Sequence, residues 1–246
     1  MEETDRARWI ALVREDETAR STQFAYHLQS LQLTHRVLNL NYVELQKIPE
    51  VLNKDRSLLA IERRPEAMLL HVEFVRRHHN WLASVKSLVD HTRTFCRRWP
   101  HDDIAAKLAS RIQSLQAEPV VKFVQELRNP TQHDRLPEIA RVTTLEPLET
   151  GPNHFNPVTR LMVSTDNLRG LGSWSRAARR YIVQAADKEN LDLMQSAREY
   201  QKLIGTFYEW FYDAVVDAHR PLWDDFTSRR EELVRLQSRA QRGTTA

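Results

Sequence analysis

The segment between Pro65 and Pro100 constrains the fold more than any other part of the sequence. Its apolar residues recur at steps of three, four and seven, close to the 3.5-residue spacing of a helical-bundle seam. His79 falls in the gap of this stripe. The pattern predicts one long helix that packs against other helices. The stripe consists of Leu69, Val72, Val75, Leu82, Val85, Val89, Thr92, Cys96 and Trp99.

Apolar repeats on both sides of this segment predict further helices. Residues 1–64 are polar and helical in pattern, with Pro49 as an interruption. One helix begins at Asp102, another restarts at Pro119, and a third begins near Ser173 as its N-cap. No internal repeat and no linker divides the chain. We therefore predict a single domain, residues 1–246, with N-terminal helices (1–64), a central part (65–137) and a C-terminal part (138–246).

Residues 141–173 differ in character from the rest of the chain. Short apolar runs alternate there with threonine, proline, asparagine and glycine. Such a pattern is typical of two short strands or an irregular hairpin, with its turn at Gly151-Pro152-Asn153. The predicted fold is therefore an all-α bundle with one small β-hairpin-like or irregular insertion.

The composition excludes several classes of protein. Glycine is scarce, with 5 in 246 residues, whereas all-β folds use glycine in their turns. No apolar run is long enough for a transmembrane helix, and the acidic start is unlike a secretory signal. The single cysteine, Cys96, cannot form an internal disulfide. We expect a cytoplasmic protein with no membrane partner.

The positive charge of the chain is carried mainly by arginine. The formal net charge is only +3, but 29 of the 36 basic residues are Arg and 7 are Lys. Arginine grips phosphate through two parallel hydrogen bonds and stacks on bases. Codon preference in a GC-rich genome is the simpler explanation of this bias, which also permits an RNA partner.

No motif for a cofactor or a metal is found. His71, Glu73, His78 and His79 share one helix, but their spacing places no pair of histidines four residues apart on one face. Gly170-Leu171-Gly172 lacks the context of a nucleotide-binding loop. We predict neither a metal site nor a cofactor.

The segment from Arg128 to His133 contains a proline, Pro130, where the apolar pattern predicts a helix. Pro130 has no N–H and pushes the preceding residue out of the α region, so it predicts a kink. Asn129 would then cap a new helix, whose N-terminus favours phosphate. The kink would gather Arg128, Asn129 and His133 at one place. An alternative without function is a structural kink with a surface histidine.

The same segment resembles the signature of the HEPN superfamily, which is Arg, usually a polar residue, and then His after four to six intervening residues. Arg128 and His133 have four residues between them, and Asn129 is the polar neighbour. The string from Leu127 to Pro137 is also similar to the "LRN…QH…LP" form of bacterial helical proteins of this size. The likeness extends over about residues 65–137 and implies a HEPN-like helical bundle. Pro130 departs from the pattern, because a tyrosine or another helix-compatible residue is more usual there.

The resemblance implies a metal-independent endoribonuclease that acts as a homodimer, in the role of a toxin or defence effector held in check by a neutralising protein. His133 would act as acid or base when the ribose 2′-OH attacks the phosphate. Arg128 would hold the phosphate oxygens, and Asn129 would orient the phosphate or His133, or cap the helix. Arg135 and Lys122 would extend the RNA groove. The alternative is a non-catalytic HEPN-like module that binds RNA or protein.

Overall fold

A computed structural model of the chain describes residues 3–147 and 155–242. This part is mostly helical, as predicted, and two short 3-10 turns, Arg56–Leu59 and Ile61–Arg63, follow the second helix. Its α-helices are α1 (Glu3–Thr18), α2 (Arg20–Lys54), α3 (Arg64–Arg98), α4 (Asp102–Ala117), α5 (Pro119–His133), α6 (Thr165–Gly170), α7 (Arg176–Ala185), α8 (Leu193–Ala218) and α9 (Arg220–Arg242). Its strands are β1 (Ile139–Pro147), β2 (Phe155–Ser164), β3 (Ala186–Asp187) and β4 (Asn190–Asp192).

The strands pair into one antiparallel sheet of order β1-β2-β4-β3. The predicted hairpin is present as β1 and β2, paired from Ile139 opposite Val163 to Pro147 opposite Phe155. Its turn lies outside the described residues. The all-α prediction was wrong in one respect, because β3 and β4 add a second hairpin where a continuous helix was expected. Lys188 and Glu189 form the tip of this hairpin, with φ of 46° and 68°. Lysine and glutamate rarely adopt this left-handed conformation, so the sequence did not predict a turn here.

The residues group into two compact units. Unit 1 comprises Met1–Leu33, His91–Leu108 and Glu209–Ala246, and unit 2 comprises Thr34–Asp90 and Ala109–Tyr208. In unit 1, Phe24 lies at the centre, stacked on His219 at 4.9 Å and in edge contact with Trp99 at 5.3 Å between ring centroids. The prediction of a single domain stays a prediction.

Aromatic residues of α3 and α8 form part of the core of unit 2. Trp81 is buried and meets Tyr200 edge-on at 5.7 Å. The predicted stripe on α3 was wrong in its first half, because Leu69 and Val72 are 70% and 57% exposed. The face that is buried in unit 2 carries larger side chains, which remove more apolar area from water than valine does. It consists of Phe74, His78, Trp81, Leu82, Val85 and Leu88.

One side chain of α2 completes the sheet where β4 ends. Asn53 donates to the Thr159 carbonyl at 2.9 Å and accepts from the Thr159 N–H at 2.7 Å. Thr159 is buried, so its backbone groups need these bonds. The amide of Asn53 therefore stands in for a neighbouring strand at this point of β2.

Candidate functional site

The new helix that was predicted to begin at Asn129 and Pro130 is absent, because α5 continues from Pro119 to His133 with Pro130 inside it. Proline cannot bond to the carbonyl of Glu126, but the next turn is held by other bonds. Thr131 Oγ1 donates to the Leu127 carbonyl at 2.7 Å, and the Asp134 N–H donates to the Pro130 carbonyl at 2.9 Å. Asn129 therefore lies within a helix and caps nothing. The predicted helix N-terminus for phosphate does not exist at this position.

Arg128 and His133 lie on different sides of α5. Five residues of helix separate them by about 140° around the axis and about 7.5 Å along it. Arg128 is half-buried, and its Nη1 donates to Asn129 Oδ1 at 3.1 Å. Its Nε is buried and has no acceptor among the described residues. His133 is exposed at the last position of α5.

The two predicted substrate-binding residues are placed differently from each other. Lys122 is half-buried on α5, eleven residues before His133, which puts both within about 20° on one face. Asn129 lies on the same face, seven residues after Lys122. Arg135 follows α5, is exposed, and donates from Nη2 to the carbonyl of Gly170. The structure thus aligns Lys122, Asn129 and His133, whereas Arg135 is bonded to the end of α6.

Helix α5 packs along α7 through aromatic side chains. Phe123 stacks on Trp174 with ring centroids 5.6 Å apart and contacts Tyr181 at 5.2 Å. Glu126 Oε2 accepts the backbone N–H of Ser175 at 2.8 Å, and the Ser175 hydroxyl caps α7 by accepting from the Ala178 N–H. The predicted N-cap, Ser173, was therefore wrong by two residues. These contacts fix α7 beside the predicted site residues of α5.

The outer face of α7 is basic. Arg176, Arg179 and Arg180 are exposed and line a shallow cleft together with Val183. None of the three arginines forms an ion pair within the part of the chain that the structure describes. Elsewhere in unit 2, Arg63, Arg76, Arg77 and Arg160 are paired with carboxylates, whereas Arg36, Arg64 and Arg141, like the arginines of α7, form no ion pair within the described residues.

Sequence reasoning missed these three arginines. The sequence does indicate a basic helix at this position, because α7 contains three arginines and no acidic residue. Its buried residues Ala178, Tyr181 and Ile182 share one face of a helix and leave the arginines on the other.

Other kinds of site find no counterpart in residues 3–147 and 155–242. This part has no group of three or more His, Cys, Asp or Glu side chains arranged to hold a metal ion. Within the same ranges, no helix is both long enough and apolar enough to cross a bilayer. Glu73, one of the residues considered for a metal, is instead bonded to Arg76 and Arg77, which lower its pKa to about 2.

Comparison of the chain with protein-family models, with curated proteins and with solved structures gives no match. The resemblance to the HEPN superfamily therefore rests on the Arg128–His133 motif and its helical context, and it stays a prediction.

Proposed function

We propose that the chain binds RNA through the basic surface formed by Arg176, Arg179 and Arg180 of α7, and that Lys122 of α5 extends this surface. The observation that carries the proposal is the absence of carboxylate partners for the three arginines within the described residues. Guanidinium groups that share one exposed helix face and have no carboxylate partner in residues 3–147 and 155–242 can bind phosphates.

The chemistry of this surface suits a single-stranded polynucleotide. Such ligands need a positively charged groove and some surface for stacking, not a deep pocket. Arginine supplies both the charge and a planar group that stacks on bases. The exposed side chain of Val183 adds an apolar patch between the arginines and the end of α7. A basic cleft with an apolar border is the expected form of such a site.

The double variant Arg179→Gln/Arg180→Gln tests this proposal. We expect its affinity for a single-stranded RNA of mixed sequence to fall about ten-fold, and the slope of log K against log salt to lose about 1.4, because two phosphate contacts disappear. Fluorescence anisotropy at several salt concentrations measures both quantities.

The matched control is Arg97→Gln/Arg98→Gln, which removes the same charge from a dibasic pair at the end of α3. We expect this control to change the affinity little. An equal loss in both variants would show that RNA responds to net charge alone and would contradict the proposed surface.

Metal-independent cleavage of the bound RNA is a second candidate function. The observation that favours it is Arg128, whose buried Nε is a donor with no acceptor among the described residues. A phosphate oxygen would satisfy this donor once the side chain turned outward, and since Arg128 and His133 of one chain lie on different sides of α5, the motif residues that meet at one phosphate would come from two copies. His133 is exposed and available as acid or base. Since each chain offers one such histidine, the second proton-transfer group would come from a second copy. In this proposal the chain is a homodimeric toxin or defence effector, and a neutralising protein restrains it.

Cleavage of RNA in EDTA by the wild type and by His133→Ala separates the two functions. We expect the wild type to leave 2′,3′-cyclic phosphate ends and the variant to be slower by a factor of about 100 or more. His91→Ala, at an exposed histidine of α3, is the control and should cleave normally. If the wild type binds RNA but does not cleave it, the chain is a non-catalytic RNA-binding module. If His133→Ala cleaves RNA as fast as the wild type, His133 is not the acid or base.

A further inference from the structure

Helix α2 exposes a second apolar face. Its inner face in unit 2 is buried and consists of Leu38, Leu45, Ile48 and Leu52. On another side of the helix, Val37, Leu40 and Val51 are 44%, 53% and 42% exposed. Single exposed apolar residues are common on protein surfaces, but a regular row of them on one helix marks an interaction surface.

This row has the spacing of a coiled-coil seam. Residues 37, 40, 44, 47, 51 and 54 follow steps of three and four, which are the a and d positions of successive heptads. We call these six residues the α2 seam. Three members are apolar, and the other three, Glu44, Lys47 and Lys54, are exposed charges. The α2 seam therefore has apolar residues on both sides of a central pair of opposite charges, and it ends in Lys54.

Both charged and apolar side chains surround the α2 seam, and Glu44 interacts electrostatically with Arg76 of α3. Asn41 Nδ2 donates to the Asn80 carbonyl at 3.4 Å and Arg77 Nη1 donates to the Glu44 carbonyl at 2.5 Å, so α3 runs antiparallel beside α2. Further exposed apolar side chains follow on the same helices and on the turns between them. They are Val43, Leu59, Ile61, Met68, Leu69 and Val72.

We propose that the α2 seam is the contact between two copies of this chain, packed as an antiparallel coiled coil about a two-fold axis. The charges determine the occupant and the register. If the axis passes between residues 45 and 46, Glu44 of each copy lies opposite Lys47 of the other. The same register places Leu40 opposite Val51 and lets the aliphatic stem of Lys54 cover Val37.

Neighbouring registers are unfavourable. A shift by one heptad in one direction places Leu40 opposite Glu44 and Val37 opposite Lys47, so that charges face apolar groups. A shift in the other direction places Lys47 opposite Val51. Charged side chains at a and d positions reduce stability but select one register and one partner. The α2 seam is thus complementary to itself, as a two-fold contact requires.

Charge reversal within the α2 seam tests this interface by sedimentation equilibrium from about 1 to 100 µM, the range of a weak specific dimer. We expect the wild type to dimerise in this range. Glu44→Lys or Lys47→Glu alone should raise the dissociation constant about ten-fold or more, because each places like charges opposite each other twice. The double swap Glu44→Lys/Lys47→Glu should restore dimerisation. Lys107→Glu, at an exposed lysine of α4, is the control for a change in net charge.

A disulfide test reads the register directly. In a Cys96→Ser background, Leu40→Cys/Val51→Cys should form an intermolecular disulfide under mild oxidation. The two positions lie about 16 Å apart along one helix, too far for a bond within one copy. Val37→Cys/Lys47→Cys, which fits the register shifted by one heptad, should not cross-link.

A wild type that stays monomeric at 100 µM would overturn the proposal, and so would single charge reversals that dimerise like the wild type. If Val37→Cys/Lys47→Cys cross-linked and Leu40→Cys/Val51→Cys did not, the two helices would pack in the register shifted by one heptad. That outcome would refute the pairing of Glu44 with Lys47. These outcomes are independent of RNA binding, which is carried by α7. A monomer that binds RNA would refute this interface and leave the proposed RNA binding standing, but it would remove the second copy that the proposed cleavage requires.

Discussion

Phe123→Ala is expected to lower the free energy of unfolding of unit 2 by about 3–5 kcal/mol, the usual cost of removing a buried aromatic ring. Phe123 is fully buried on α5 and touches Trp174 and Tyr181, one just before α7 and one within it. The deletion leaves a cavity between α5 and α7. Because these ring contacts hold α7 against α5, we also expect the basic surface of α7 to bind RNA more weakly.

Denaturation by urea measures the first effect, and RNA binding well below the midpoint of unfolding measures the second. Phe123→Leu is the matched variant, since it keeps most of the apolar volume and should cost about 1.5 kcal/mol or less. If Phe123→Ala lost stability but bound RNA like the wild type, the RNA surface would not depend on the packing of α7 against α5.

Acidification is expected to destabilise unit 2 through His78. This histidine is fully buried, stacked on Phe74 at 5.9 Å and close to Trp81 at 5.8 Å between ring centroids. Burial lowers its pKa from 6.5 to about 4, and the neighbouring His79 adds to the effect. In the unfolded chain His78 takes up a proton near pH 6.5, whereas in the folded chain it stays neutral until about pH 4. Stability is therefore complete above pH 6.5 and decreases by about 3 kcal/mol as the pH falls to 4.

Urea denaturation at pH 7, 6, 5 and 4.5 tests this pH dependence. We expect His78→Leu to show a much smaller decrease than the wild type over this range. Burial also lowers the pKa values of His27, His71 and His219, so a residual decrease of the same sign should remain. Arg97→Gln is the control and should keep the wild-type slope, because arginine does not titrate in this pH range. Identical slopes for the wild type and His78→Leu would contradict the assignment.

The sequence predicted several helix boundaries correctly because prolines mark them. The predicted opening of a long helix at Pro65 and its end before Pro100 match α3, and Pro119 is the first residue of α5. Proline lacks an N–H and has a fixed φ, so it suits the first turn of a helix and stops one that precedes it. The β1–β2 hairpin was also recognisable, since its strands interrupt a helical pattern.

Proline also led to wrong predictions, because prolines inside helices were interpreted as interruptions. Pro49 and Pro130 both lie within helices, α2 and α5. A rule about local backbone geometry cannot weigh the packing that keeps α5 helical, where Leu127 and Thr131 are buried on either side of Pro130. The candidate site suffered most, because its phosphate-binding argument depended on a helix end at Asn129.

The sequence could not predict which side chains are buried or paired, for a different reason. The apolar stripe of α3 was assigned by spacing, and spacing alone does not say which of two apolar faces meets the core. Leu69 is exposed whereas Phe74 is buried, and only the neighbouring helices decide between them. Likewise, the arginines of α7 became candidates only when the structure showed that no described carboxylate pairs with them.

The bond between Asn53 and Thr159 has a consequence for the order of events during translation. The two residues are 106 positions apart. At a synthesis rate of about 5–20 residues per second, Asn53 leaves the ribosome roughly 5–20 s before its partner. Throughout that interval the end of α2 lacks the strand to which it will bond. Pulse-labelling of ribosome-bound chains by hydrogen exchange would therefore find the end of α2 unprotected from exchange until β2 has emerged.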